Sequence, residues 1–180
     1  MPYQLSKYTL PTGIEKGTIA AGTQPSNLTG NTSDNALTGN NGKNILSGAV
    51  GRDSLFGGAG NDVLRGGTGN DTLSGGTGKD IFKFDTALNA NTDKIIDFKP
   101  IDDTIQLENS IFTTLTTTGV LNAGSFVKAD AAIDTNDYVI YNPTTGALTY
   151  DADGSGAGVG VQIAMLGVNL ALTNTDFVTI

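Results

Sequence analysis

Four aspartates recur at intervals of nine residues in the central part of the sequence, each in a glycine-rich stretch. They are Asp53, Asp62, Asp71 and Asp80. Carboxylates beside exposed backbone carbonyls form the oxygen-rich surroundings that a hard cation such as Ca²⁺ prefers. Because glycine weakens helices and strands alike, the stretch is either disordered or ordered by something that it binds. The spacing predicts a row of cation sites.

The aspartates belong to six consecutive nonapeptides that begin at Gly30 and end at Lys83. Position six holds Asn35 and Asn44 in the first two units and the four aspartates in the others. Position four is glycine from the second unit onward, and three successive units read G-G-x-G-x-D. Position eight is always apolar: Leu37, Leu46, Leu55, Leu64, Leu73 and Phe82. Fixed columns of this kind indicate a repeat architecture rather than filler.

The apolar column predicts the elements that position the aspartates. Positions seven to nine form a minimal β-strand whose central residue points inward, and positions one to six form a turn. One unit cannot bury its apolar residue alone, so the units stack into a solenoid. With two units per coil, Asp53 lies over Asp71 at one edge and Asp62 over Asp80 at the other. Facing sheets are then lined by Leu37, Leu55 and Leu73 and by Leu46, Leu64 and Phe82.

Such a core is too thin to order the repeats by itself. Burying one leucine contributes roughly 1.5–3 kcal/mol, whereas ordering the backbone costs about 1–2 kcal/mol for each residue. Nine residues share one apolar anchor, so another source of stability is required. A bound cation in each turn is the source that the residue types favour.

The columns match the nonapeptide G-G-x-G-x-D-x-U-x, in which U is a large apolar residue. The chain therefore resembles the RTX (repeats-in-toxin) calcium-binding family. The resemblance implies an all-β fold, a parallel β-roll that holds several Ca²⁺ ions between successive turns, followed by a β-sandwich-like C-terminal part. Where Asn35 and Asn44 replace aspartate, the neutral amide oxygen is a weaker ligand, so we expect those sites to be weak or empty.

The resemblance also assigns candidate ligands residue by residue. The four aspartates would bind with their side chains, together with Asn35 and Asn44 at the weaker sites. Backbone carbonyls of the glycine columns would complete the coordination shells; the candidates are Gly51, Gly58, Gly60, Gly67, Gly69, Gly76 and Gly78.

The chain divides into three parts in this interpretation: residues 1–29, the repeats at 30–83, and residues 84–180. Counting back in nines from Leu37 reaches Leu28, Ile19 and Leu10. The first part is therefore either a continuation of the solenoid by degenerate repeats or an irregular cap, and the sequence leaves both open. The last part is a β-rich capping and secretion-signal region.

Residues 93–107 alternate apolar and polar residues and predict two strands joined at Pro100. Their D-x-I-x-D-F and D-x-I-x-L patterns resemble the segment that follows the repeats in serralysin-type C-terminal domains. That resemblance makes Asp93, Asp97 and Asp103 secondary calcium candidates. Solvated carboxylates on the outer face of a strand are the alternative for each.

Turn residues 142–146 separate two apolar runs and predict a β-hairpin. The stretch from Asp151 to Gly156 matches the first half of an EF-hand loop, but Gln162 stands where the bidentate glutamate belongs, which favours a tight turn. The last residues, from Asn174 to Ile180, resemble the C-terminal signal of type I secretion. No N-terminal signal peptide or membrane-spanning run is found.

Composition excludes several kinds of site. The chain has no Cys, His or Trp, so zinc sites built from Cys and His and nucleophiles activated by histidine are excluded. The net charge is −8, with −9 in residues 84–180 and no basic residue after Lys128. An acidic surface argues against nucleic acid as a partner. We therefore expect a module without catalytic activity of its own.

The sequence thus predicts a calcium-binding module that folds after type I secretion and stabilises or delivers an attached passenger. Its partners would be calcium ions, the exporter during transit, and an upstream catalytic or adhesive domain. Its location would be extracellular or on the cell surface of a Gram-negative bacterium. Two alternatives remain: a calcium-stabilised adhesive or carbohydrate-binding module, and the non-catalytic C-terminal part of a secreted protease, lipase or epimerase.

Overall fold

Two facing β-sheets run through the whole computed structural model, which describes residues 6–88 and 91–180. In spatial order, the first sheet contains β1 (Ser6–Thr9), β3 (Ser26–Thr29), β5 (Asn44–Val50), β7 (Val63–Thr68), β9 (Ile81–Phe84), β11 (Thr104–Leu107), β17 (Phe177–Thr179) and β12 (Gly119–Val120). The second contains β13 (Phe126–Lys128), β14 (Val139–Tyr141), β15 (Ala147–Tyr150), β16 (Val161–Met165), β10 (Asp93–Ile95), β8 (Thr72–Thr77), β6 (Ser54–Ala59), β4 (Ala36–Thr38) and β2 (Lys16–Thr18). Successive repeats alternate between the sheets, and their strands pair in parallel. This confirms the all-β prediction and the parallel β-roll.

The apolar column forms the core of the roll, as predicted. Leu46 pairs with Leu64 in the first sheet and Leu55 with Leu73 in the second, so the coil is eighteen residues long. All six residues at position eight are at most 1 % exposed. The column continues past the repeats, because Ile105 pairs with Phe82 and Ile95 with Leu73.

The strands of the repeats are longer than predicted. Strands β6, β7 and β8 have six residues each and extend through position three of the next unit. The glycine positions pair as well: Gly58 lies opposite Gly76, and Ala49 opposite Gly67. Since neighbouring coils are in register, the backbone of these positions can enter the sheet, and only positions four to six remain as a tight turn.

The first coil stacks on the roll with a longer spacing. Tyr8 lies opposite Leu28 and Gly17 opposite Leu37, so paired residues are twenty apart rather than eighteen. Leu10 is 5 % exposed and Ile19 packs against the core. Strands β1, β2 and β3 therefore continue both sheets, although the glycine and aspartate columns are absent there.

The C-terminal part extends both sheets with mixed pairing. The two strands predicted in residues 93–107 are β10 and β11, and they lie in opposite sheets. The predicted hairpin is present as the antiparallel pair β14 and β15. Near the C-terminus, β17 lies between β11 and β12, and residues 151–158 form turns stabilised by the carboxylates of Asp151 and Asp153.

Candidate metal centre

Positions one to six of each unit connect the two sheets, and they stack at two opposite edges of the roll. Edge A consists of residues 30–35, 48–53 and 66–71, and edge B of residues 39–44, 57–62 and 75–80. The structure brings Asp53 and Asp71 together at edge A and Asp62 and Asp80 at edge B. The carboxylates therefore form two columns, one at each edge.

One oxygen of each repeat carboxylate links neighbouring coils. The backbone N–H of Asp53 donates to Oδ1 of Asp71 at 2.8 Å, and the N–H of Asp62 donates to Oδ1 of Asp80 at 2.9 Å. In the same way, the N–H groups of Asn35 and Asn44 donate at 2.7 Å to Asp53 and Asp62 one coil further on. These bonds fix the direction of each carboxylate.

The second carboxylate oxygen has no partner. Oδ2 of Asp53, Asp62, Asp71 and Asp80 is buried and accepts no hydrogen bond, and the four residues are at most 2 % exposed. Leaving a buried charged acceptor unsatisfied costs considerable free energy. No group of three or more Asp, Glu, His or Cys side chains suited to a metal exists in residues 6–88 and 91–180. A cation at these oxygens would therefore need backbone carbonyls for the rest of its shell.

Backbone carbonyls converge on the same spaces. A Cβ added to Gly57 would lie 2.6 Å from the carbonyl oxygen of Gly75 in the next coil and would also overlap Oδ2 of Asp62. At edge A, a Cβ on Gly48 would overlap both Asp53 Oδ2 and the Gly66 carbonyl oxygen. Each of these two spaces thus presents one carboxylate oxygen and one carbonyl oxygen, and both are ligand types that Ca²⁺ prefers.

The glycines at positions two and four let the chain turn tightly beside these spaces. Gly58 and Gly60 have φ angles of +107° and +110°, a region that residues with a side chain rarely adopt. The other five predicted glycines also have positive φ, and they are Gly51, Gly67, Gly69, Gly76 and Gly78. Ala49 adopts φ +83° at position two without glycine. Corresponding backbones stack closely, since a Cβ on Gly60 would lie 2.9 Å from the Gly42 carbonyl oxygen.

Burial makes the four carboxylates hard to ionise in the absence of a metal. Desolvation raises the pKa of Asp53 and of Asp62 to about 6, against the smaller opposing effect of a backbone hydrogen bond. Desolvation also raises the pKa of Asp71 and of Asp80. A divalent cation would favour the ionised form and offset this penalty.

The two asparagine units are satisfied internally. At edge A, Oδ1 of Asn35 accepts the Asn31 N–H at 2.7 Å, and Nδ2 of Asn31 donates to the carbonyl oxygens of Pro11 and Ile14, each at 2.8 Å. Asn40 and Asn44 repeat this arrangement at edge B. The oxygen beside the position-one glycine is Oδ1 of Asn35 or Asn44 in these units, and it accepts a hydrogen bond, whereas the corresponding Oδ2 of the later units is unpaired.

Sequence reasoning missed Asn31 and Asn40 as partners of Asn35 and Asn44. A signal was present, because asparagine replaces the second glycine in the same two units in which it replaces aspartate. The two substitutions form one hydrogen-bonded pair in each unit. Hydrogen bonds within the protein thus pair the amide groups of the first turn of each edge.

The secondary candidates are also hydrogen bonded to the protein. Asp97 accepts the N–H groups of Gly75 and Gly76 and the hydroxyl of Ser74. Asp103 accepts the N–H of Asp80 at 3.0 Å and that of Lys99 at 2.8 Å. Neither of these aspartates has an unpaired buried oxygen like those of the repeats.

Asp93 closes edge A in a comparable way. Its Oδ1 accepts the N–H of Asp71 at 3.1 Å, and desolvation raises its pKa to about 7. As ligands, Asp93, Asp97 and Asp103 remain predictions.

Replacing Asn35 by aspartate restores the repeat consensus, yet we expect it to destabilise the fold. A carboxylate oxygen would replace Nδ2, which donates to the Ile14 carbonyl and to Asn31 Oδ1, each at 3.3 Å. The expected loss is about 1–3 kcal/mol of unfolding free energy, measured by chemical denaturation at saturating calcium. The control is Asn61→Asp, because Oδ1 of the exposed Asn61 only accepts the Lys79 N–H. A stable Asn35→Asp variant with an added calcium ion would contradict the interpretation.

Comparisons with known proteins agree with this geometry. A model of the RTX calcium-binding nonapeptide repeat matches residues 26–55 and 47–82, in four copies. Eighteen chains of solved structures match, and one is the solution structure of the AlgE6R3 subunit from the Azotobacter vinelandii mannuronan C5-epimerase. That match has 27 % identity and a TM-score of 0.51, and it covers 94 % of this chain and 86 % of that one. Curated protein sequences give no match.

The matched residues include the two spaces described above, beside Asp53 and Asp62, and all four unpaired carboxylate oxygens. The oxygen ligands at the edges, the eighteen-residue coil and the matching repeat model therefore all indicate the same kind of calcium-binding repeat. Residues 26–82 form a block of RTX calcium-binding nonapeptide repeats, and this block binds several calcium ions.

Proposed function

We propose that this chain is a secreted module whose folding depends on calcium. The observation that carries the proposal is the set of four buried, unpaired carboxylate oxygens at the edges of the roll. When bound, Ca²⁺ supplies the positive charge that these oxygens lack. The chain itself supplies the rigid spacing, because each Oδ1 is held by an N–H of the neighbouring coil.

Calcium affinity and folding are coupled in such a design. The buried carboxylates oppose folding while they are charged and unpaired, and the net charge of −8 adds repulsion. Metal binding to the folded state then contributes directly to the free energy of folding. Extracellular calcium modules have dissociation constants of about 10⁻⁴–10⁻³ M, so the chain would stay unfolded at the low calcium of a cytoplasm.

Type I secretion is the export route that fits this coupling. RTX repeats are typical of secreted proteins, and no helix in residues 6–88 or 91–180 could cross a bilayer. The C-terminal residues that resemble the secretion signal are ordered as β17, between β11 and β12, with the Ile180 N–H bonded to Leu107 at 3.0 Å. We propose that the exporter reads this segment before calcium orders the sheet.

The module would serve an attached passenger rather than act alone. We propose that it is a non-catalytic part of a larger secreted protein, and its similarity to a subunit of a mannuronan C5-epimerase supports an enzyme as the passenger. The roll would fold as soon as the exported chain binds extracellular calcium, and a fused domain would then fold next to an ordered module. Expression of the chain with and without its upstream reading frame, followed by activity assays, tests this role.

A carbohydrate-binding or adhesive role is the second candidate. It is supported by the similarity of this chain to the AlgE6R3 subunit, because that subunit comes from a mannuronan C5-epimerase. Against it, Trp is absent and aromatic residues make up 7 % of the chain, so stacking platforms for sugars are few. Glycan-array binding by the calcium-loaded chain would favour this role, and absence of binding would leave the folding module.

Removal of calcium is expected to unfold the chain. In chelator at pH 7, where the buried aspartates oppose folding most, circular dichroism should show a coil, and millimolar calcium should restore β-structure, because the four carboxylates then gain their cation. Magnesium is the control: it prefers a smaller, near-octahedral shell and should not replace calcium at equal concentration. A spectrum that chelator leaves unchanged would contradict the proposed function.

A further inference from the structure

The last repeat turn of each edge is followed by chain that is not a repeat. Edge A ends with residues 66–71 and is covered by residues 86–88 and 91–93; edge B ends with residues 75–80 and is covered by residues 97–103. The covering chain must satisfy the same groups at both ends: the N–H of the last aspartate, the carbonyl of the position-two glycine, and the unpaired carboxylate oxygen.

At edge A, the Asp71 N–H is bound by the Asp93 carboxylate, and the glycine groups of the last turn are bound by neutral side chains. The carbonyl oxygen of Gly67 accepts the hydroxyl of Thr86 at 2.9 Å and Nδ2 of Asn91 at 3.2 Å. The Gly69 N–H donates to Oδ1 of Asn91 at 2.9 Å. Oδ2 of Asp71 remains buried and unpaired beneath this cover.

A charged group closes edge B. The ammonium of Lys99 donates to the carbonyl oxygen of Gly76 at 2.6 Å, the group that corresponds to Gly67. Oδ2 of Asp80 is unpaired here as well, in a side chain that is 1 % exposed. The cover also brings Asp97 and Asp103 to this turn, where they accept backbone N–H groups; the Lys99 ammonium acts on Asp80 and Asp103 through its charge and not through a direct ion pair.

The backbone of Lys99 is anchored, so the ammonium does not reach the turn by chance. The Lys99 N–H donates to Oδ2 of Asp103 at 2.8 Å, and the Lys99 carbonyl oxygen accepts the N–H groups of Asp102 and Asp103. Its charge also acts on the carboxylates: burial, the larger effect, raises the pKa of Asp80 and of Asp103, whereas Lys99 lowers both. No cation acts on Asp71 in this way.

We propose that the Lys99 ammonium is a tethered cation that takes the place of a calcium ion at the last turn of edge B. The inference rests on the proposed function, because it assumes that calcium binds at the corresponding turns. It makes the two edges unequal: the Asp71 end of edge A is left for a metal ion, whereas the Asp80 end of edge B is closed without one. Lys99 thus limits the number of calcium ions that the roll takes up.

Counting bound ions tests this assignment. Native mass spectrometry and calorimetry of the full chain at saturating calcium are expected to show one more ion in Lys99→Met than in wild type. Removal of the ammonium frees the Gly76 carbonyl and leaves Asp80 without its neighbouring charge. At limiting calcium, where wild type is only just folded, the same variant is expected to unfold at a lower denaturant concentration than wild type.

Two variants serve as controls. Lys99→Arg keeps the charge and is expected to retain the wild-type ion count. Lys79→Met removes one positive charge from an exposed position of the same turn, and the ion count should again stay unchanged.

Each outcome separates the two proposals. If wild type binds no calcium, the proposed function fails. If wild type binds calcium and Lys99→Met binds the same number of ions, the tethered-cation inference fails alone. A Lys99→Met chain that stays unfolded at every calcium concentration would also overturn it, because a metal ion could then not replace the ammonium.

Discussion

The Gly57→Ala variant is expected to require at least about fivefold more calcium to fold than wild type, because overpacking by one methyl group typically costs about 1–3 kcal/mol. The added Cβ would lie 2.6 Å from the Gly75 carbonyl oxygen and would overlap Oδ2 of Asp62. Both oxygens belong to the space assigned to the ion, and neither neighbour is the free end of a flexible chain. A calcium titration followed by circular dichroism measures the shift.

The matched control is Gly167→Ala. Gly167 also has no positive φ, and a Cβ there would make an ordinary contact of 3.4 Å with the end of the Leu170 side chain. Its calcium midpoint should stay close to that of wild type. If Gly57→Ala and Gly167→Ala titrate alike, the space beside Asp62 is not part of a calcium site.

The periodic part of the structure is the part that the sequence predicts. One residue in nine has to be buried, and only a coil of eighteen residues places Leu46 beside Leu64 and Leu55 beside Leu73. The same period places Asp53 over Asp71. Because every unit meets the same neighbours as the unit before it, a single pattern defines many contacts at once.

The ends of the roll escaped prediction because their contacts occur only once. Asn91 and Lys99 close corresponding carbonyls, yet they come from segments of different length and composition. The twenty-residue spacing between Gly17 and Leu37 likewise breaks the period. Strand lengths were underestimated because the pairing of Gly58 with Gly76 depends on register between coils, which glycine propensity alone does not reveal.

The calcium-free fold is expected to become less stable as pH rises from about 4 to 7. An unfolded aspartate titrates near pH 3.9, whereas burial raises the pKa of folded Asp53 and Asp62 to about 6 and that of Asp93 to about 7. The folded state therefore holds more protons between these values. Its stability is fully present below the unfolded pKa and is lost as pH rises through the folded pKa values. The folded fraction, followed by circular dichroism in chelator across this range, measures the loss.

Saturating calcium is expected to reverse that slope. The ion binds the ionised carboxylates, so protons compete with it, and stability should rise with pH over the same window. In the double variant Asp53→Asn with Asp62→Asn, two of the raised pKa values are removed, and both slopes should become shallower. Equal slopes with and without calcium would mean that the buried aspartates are not the groups that bind the ion. Opposite slopes would tie the protons and the calcium to the same oxygens, because only a shared site lets one ligand invert the pH dependence set by the other.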